Sequence, residues 1–117
     1  MLNRRPFRRT DRVADLIRRE LADLVQKGLK DPRVGFVSIT GVEVSPDLRQ
    51  GKVHVSVYGT PEEQASSLAG LQSASGYMRS VLKRALHLKR IPELVFHLDD
   101  SIAQGARINA AIASLKD

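Results

Sequence analysis

The chain has 117 residues, no cysteine, 42% hydrophobic residues and a formal net charge of +6. That length suits one domain around one core, and the missing thiols exclude a disulfide framework, thiol catalysis and zinc fingers while fitting a reducing compartment. No apolar run approaches the ~20 residues that cross a bilayer, so no membrane partner is expected, and the positive charge directs attention to a polyanion.

The charge is concentrated at the start. Arg4, Arg5, Arg8, Arg9 and Arg12 face only Asp11 within the first twelve residues, which marks residues 1–10 as a basic tail, expected to be flexible, ahead of a single domain over 11–117. A basic tail alone serves solubility as readily as binding. The acidic Asp11, Asp15, Glu20 and Asp23 speak against a transit peptide, and the expected location is the cytoplasm. From Asp11, apolar residues at Val13, Leu16, Ile17, Leu21, Leu24, Val25 and Leu29 predict an amphipathic helix ending near Lys30-Asp31-Pro32.

Val37 and Ile39 then share one strand phase and Val42 and Val44 the other, so a bulge is expected at Gly41. Turn residues over Ser45–Gly51 lead into Val53, Val55 and Val57, alternating with Lys52, His54, Ser56 and Tyr58; the two strands read as an antiparallel hairpin. Thr60-Pro61-Glu62-Glu63 has the form of a capping box with proline at the first helical position. The helix it starts runs to a break at Ala74-Ser75-Gly76, and a second helix continues to about Lys89, stopped by Ile91-Pro92. Leu94, Phe96 and Leu98 predict the inner face of a third strand, and Asp100-Ser101 can cap a last helix carrying Ile108, Ile112 and Leu115. The expected fold is α+β in two layers, a three-stranded sheet covered on one face by helices, in the order α-β-β-α-(kink)-α-β-α.

The break carries the functional signal. Glycine lets a backbone bend or a ligand approach closely, and beyond Gly76 the residues Arg79, Lys83, His87 and Arg90 follow helical spacing on a basic face. The plainer readings are a packing bend and a solvated charged face. An enzyme has poor support: Asp99-Asp100 matches no metal-ligand spacing, and there is no nucleophile elbow or phosphate loop, so no catalytic residue, metal or cofactor is expected. A stacking-type single-strand RNA module is disfavoured because Phe7, Phe36, Tyr58, Tyr77 and Phe96 are the only aromatics, with Phe36 and Phe96 expected in the core. A membrane-surface helix over 11–30 is disfavoured because its polar face mixes acids with bases.

Taken together, Val13-Ala14-Asp15, Lys30-Asp31-Pro32-Arg33-Val34-Gly35, Gly41-Val42-Glu43-Val44-Ser45-Pro46-Asp47-Leu48, Ala74-Ser75-Gly76-Tyr77-Met78-Arg79, Ile91-Pro92-Glu93-Leu94, Asp99-Asp100-Ser101 and Gly105-Ala106-Arg107-Ile108 resemble, in family order, the ribosome-binding factor A family. The resemblance implies a type II KH-like fold in which Ala74-Ser75-Gly76 replaces the usual glycine loop. It further implies a non-enzymatic factor that binds the free 30S subunit and 16S rRNA, assists late maturation of the rRNA 5′ region and matters for growth in the cold. With RNA as partner, the basic tail, the bend and the basic face beyond it supply the expected RNA-binding set, Arg4, Arg5, Arg8, Arg9, Arg12, Ser75, Gly76, Arg79, Lys83, Arg84, Lys89 and Arg90, and a monomer is the default expectation.

Overall fold

The structure, a computed structural model, describes residues 9–29 and 31–99. The expected last helix and its Asp100-Ser101 cap, together with Arg4, Arg5 and Arg8, lie outside the described residues. Helix α1 spans Arg9–Lys27 and buries Val13, Ala14, Ile17 and Leu21 on one face. The helix is already formed at Arg9, two residues before the expected Asp11, so Arg9 and Arg12 are helical. It also ends before Lys30, because Gly28 takes a left-handed φ of 94° that closes the helix. The apolar period misleads at that end: Leu29 still packs against the core, but from the loop.

Strands β1 (Val37–Val44), β2 (Gln50–Val57) and β3 (Glu93–Leu98) form one sheet in the order β1-β2-β3. β1 and β2 are antiparallel, with a register shift between Ile39 and Gly41 that makes Thr40, one residue before the expected Gly41, the extra residue and switches the strand's phase. β3 runs parallel to β2, Val53 opposite Phe96 and Gly51 opposite Leu94. Val53 and Val55 are fully buried under the helices, and Leu94 and Phe96 lie against the same core. Leu98 departs from expectation: it is the final residue of an edge strand and is 37% exposed.

A parallel neighbour cannot be reached by a hairpin, so the chain crosses over through two helices. Helix α2, Pro61–Ser73, begins with the expected capping box, Glu63 N–H donating to Thr60 Oγ1 at 3.1 Å and Thr60 N–H to Glu63 Oε1 at 2.9 Å. Helix α3, Ser75–Leu86, buries Met78 and Leu82. It stops three residues short of the expected Lys89 because His87 turns left-handed, with φ 49°. Gln72 joins the layers: its amide donates to Leu94 O at 3.0 Å and its carbonyl accepts Phe96 N–H at 3.1 Å, along the edge of β3.

The loop before β1 is fastened to α2. Ser67, 2% exposed, donates to Arg33 O at 3.1 Å and accepts Gly35 N–H at 3.2 Å. A β-carbon on Gly70 would stand 2.9 Å from Val34 Cγ2 and 3.2 Å from Arg33 Cβ, so glycine is what lets the loop lie this close. Val34 and Val37 fill the space toward the core, and Phe36, expected inside, is turned out to 83% exposure. Ser67→Ala strands two backbone groups and is expected to cost about 1–3 kcal/mol in denaturant unfolding. Gly70→Ala is expected to lower stability by about 1–2 kcal/mol, the clash outweighing its better helix propensity.

Candidate nucleic-acid interface

The bend between α2 and α3 is a single non-helical residue. Ala74 has φ −85° and ψ 1°, and its N–H is shared between Gly70 O at 3.0 Å and Leu71 O at 3.1 Å. Its carbonyl takes Met78 N–H at 2.9 Å, so Ala74 closes one helix and opens the next. No side chain caps the N-terminus of α3. Ser75 and Gly76 lie in the first turn of α3, Ser75 half-buried and Gly76 exposed.

Gly76 does not supply the bend. It has no positive φ, and a β-carbon built on it would meet nothing within 4 Å. Nothing within the described fold requires glycine there. The smooth surface is turned outward, at the end of a helix whose amide dipoles favour an anion.

Some of the cations are already matched by acids. Along α1, Asp15 pairs with Arg18 at 3.0 Å and Arg19 at 2.9 Å, and Asp23 with Lys27 at 3.0 Å. Asp31 holds Arg33 at 2.6 Å. Lys83 and Arg84 in the last turn of α3, and Lys89 and Arg90 in the loop beyond it, are exposed and pair with no carboxylate among the described residues. Positions at a helix C-terminus also favour cations for the helix's own sake, which accounts for Lys83 and Arg84 but not for Lys89 or Arg90.

Arg79 has a structural task. Its Nε donates to Pro92 O at 3.1 Å and an Nη to Ile91 O at 2.9 Å, so the guanidinium binds α3 to the segment that enters β3. It does this at the wall of an open hollow lined by Arg49, Gln50, Arg79, Arg90, Ile91 and Glu93. Arg49 was missed by sequence reasoning. It sits in the β1–β2 turn, where Asp47 accepts its N–H at 3.0 Å, and it arrives here because Glu93 N–H donates to Arg49 O at 2.9 Å. No local pattern signals that contact.

A second depression, of about 430 Å³, opens beside the bend and is lined by Gly28, Leu29, Asp31, Ser73, Ala74 and Tyr77. Arg33 beside Asp31 holds its carboxyl down to about 2, through side-chain and backbone hydrogen bonds. Neither Asp99 of the pair weighed for catalysis nor the strand histidine His54 offers a reactive group without ordinary surroundings. Asp99 accepts from the Thr40 hydroxyl at 2.7 Å, His54 Nε2 lies 2.7 Å from Glu43, and Asp100 lies outside the described residues. Among the described residues no group of His, Asp or Glu is placed to hold a metal, and no helix is long and apolar enough to cross a membrane.

Because the folded value for Asp31 lies below the usual 3.8, its contribution to stability is present above about pH 4 and is lost as the pH falls toward 2. Asp31→Asn is expected to flatten the acid limb of a stability-against-pH curve in that window, and the carboxyl carbon of Asp31 to titrate near 2 by NMR. Arg79→Ala, which leaves two carbonyls without their charged donor, is expected to cost about 1–3 kcal/mol, measured by thermal or denaturant unfolding.

The chain is similar to known proteins in sequence and in fold. Residues 9–112 match the protein family described as ribosome-binding factor A. Ribosome-binding factor A of Brevibacillus brevis is 48% identical over 107 residues, covering 92% of this chain and 88% of that protein. A solution NMR structure of a Thermotoga maritima ribosome binding factor A superposes with a TM-score of 0.71 at 34% identity, covering 81% of this chain and 91% of that one. A homology model of the Thermus thermophilus factor, fitted into the cryo-EM map of a 30S complex, superposes with a TM-score of 0.62 at 26% identity over 74% of this chain and 91% of that one. Matching sequence over most of its length and sharing the α+β fold of these structures, the chain belongs to the ribosome-binding factor A family.

Proposed function

We propose that this protein binds the free small ribosomal subunit through its 16S rRNA and assists late maturation of that RNA, including processing of its 5′ region, with greatest value in the cold. It acts without catalysis or cofactor, as a cytoplasmic monomer whose domain over 11–117 is supplemented by the basic tail over 1–10. The observation that carries the reading is the exposed set Lys83, Arg84, Lys89 and Arg90, which no carboxylate neutralises among the described residues, in and just beyond the last turn of the helix whose first turn holds the open Gly76. The Thermus relative fitted into a 30S complex supports the choice of partner.

In this mechanism Gly76 and the uncapped first turn of α3 let a phosphate come close, while Lys83, Arg84, Lys89 and Arg90 neutralise its neighbours. Arg79 and Ser75 contribute from the flanks, and Arg4, Arg5, Arg8, Arg9 and Arg12 add a second grip. A protein that holds one rRNA conformer more tightly than its competitors shifts the population toward it by no more than that difference in affinity. Misfolded RNA persists longer in the cold, so such a shift then matters most.

Binding to immature and mature small subunits over a salt series tests the reading; equal affinity for both particles and for unrelated RNA would sink it. The quadruple change of Lys83, Arg84, Lys89 and Arg90 to alanine is expected to flatten the log–log salt slope by roughly 0.7–0.9 per phosphate contact removed. Deleting residues 1–8 is expected to flatten it further. Gly76→Ala separates binding from folding: with open space around the new methyl group, stability should rise by up to about 1 kcal/mol while RNA affinity falls. Unchanged affinity in that variant would remove close approach at Gly76 from the mechanism.

A further inference from the structure

Of the four aromatic residues among those described, only Phe96 is buried; Phe36 is 83% exposed and Tyr58 84%. These two are neighbours across the end of the sheet, since Tyr58 N–H donates to Phe36 O at 3.1 Å, one step beyond the Val37–Val57 pair. Their rings do not stack on each other, the one ring contact among the described residues being His54 with His97. Both border a single open depression of about 570 Å³, together with Pro32, Arg33, Glu63 and Ser66.

The rings are held out by a fastened frame. Ser67 grips the backbone on both sides of Val34, Gly70 lets the loop sit directly on α2, and Asp31 fixes Arg33 through Nε and an Nη. Exposed aromatic side chains on a pre-organised backbone are the residues that anchor partners, because little ordering is left to oppose binding.

We propose that Phe36 and Tyr58 form a stacking site for an unpaired nucleobase of the RNA, an inference that rests on the RNA-binding reading above. The chemistry of the rim selects this occupant. Around the depression that both rings share stand a guanidinium, a carboxylate and a hydroxyl; among the described residues the other large exposed apolar residues are Tyr77, beside the bend, and Val95 and Leu98 on β3. A flat base offers π-faces to the rings and polar edges to the rim, and its backbone suits a chain of net charge +6. The same loop reaches the bend through Asp31, which lines the depression beside Ala74 and Tyr77. One strand could therefore run from the stacked base to the phosphate contacts of α3.

The test compares Phe36→Ala and Tyr58→Ala with wild type on three probes: a short unstructured RNA, a fully paired RNA duplex and isolated small subunits. Neither ring is needed by the core, so both variants should unfold as wild type does. Each should bind the unstructured RNA roughly tenfold more weakly, with unchanged salt slope and unchanged duplex affinity. Phe36→Trp, in a chain that has no other tryptophan, should lose fluorescence on adding the unstructured RNA and not on adding the duplex. Wild-type affinity in both alanine variants, with no quenching, overturns the stacking site; if Lys83→Ala/Arg84→Ala still weakens RNA binding, the proposed function survives that result. Weaker binding to subunits with unaltered binding to free RNA also overturns it and makes the rings a contact for a ribosomal protein. No binding of wild type to any RNA or subunit overturns the function and the stacking site together.

Discussion

The parallel pairing of β2 with β3 is the constraint on which the rest of the molecule depends. It obliges the chain leaving Val57 to travel back along the sheet before β3 can begin, and α2 and α3 make that journey. A straight helix of their combined length would overrun the sheet. The bend at Ala74 folds the crossing into two segments, so Leu71 on one side of it and Met78 and Leu82 on the other all reach one core. Gln72 and Arg79 then secure the crossing at either side of the bend, the first on the edge of β3 and the second on the carbonyls of Ile91 and Pro92.

This arrangement separates the packing role of the Ala-Ser-Gly segment from its binding role. Ala74 is the residue that leaves helical geometry, and Gly70, four residues earlier, is the glycine that close packing demands. Gly76 is required by neither. A residue of low helix propensity kept at the start of a helix, where a methyl group would fit, suggests a constraint from outside the fold. The cations follow a similar division: Arg18, Arg19 and Lys27 on α1 are matched by acids a turn away, and those at the far end of α3 are left for a partner.

The loop before β1 shows how a small domain can hold aromatic side chains in water. Backbone hydrogen bonds to a buried serine and close contact at a glycine supply the rigidity that apolar burial would otherwise provide. Phe36 and Tyr58 are thereby available as a surface, on the same face of α2 that leads to the bend.

Local patterns carried most of the fold. The period-two valines of β2, the phase switch around Thr40, the Thr60–Glu63 box and the break at Ala74 each depend on residues within a few positions of one another, and each falls within a residue of where the sequence places it. The Gly28 and His87 helix ends were misjudged because apolar spacing runs on past them, while the chain stops where a residue can turn left-handed. The exposure of Phe36, the use of Arg79 as a tether and the arrival of Arg49 beside Arg90 are set by contacts between segments distant in the chain. The sequence by itself determined which elements form and where the chain bends. Tertiary structure decided which aromatics and cations face a partner, because exposure is a property of what packs alongside and spacing along one element does not encode it.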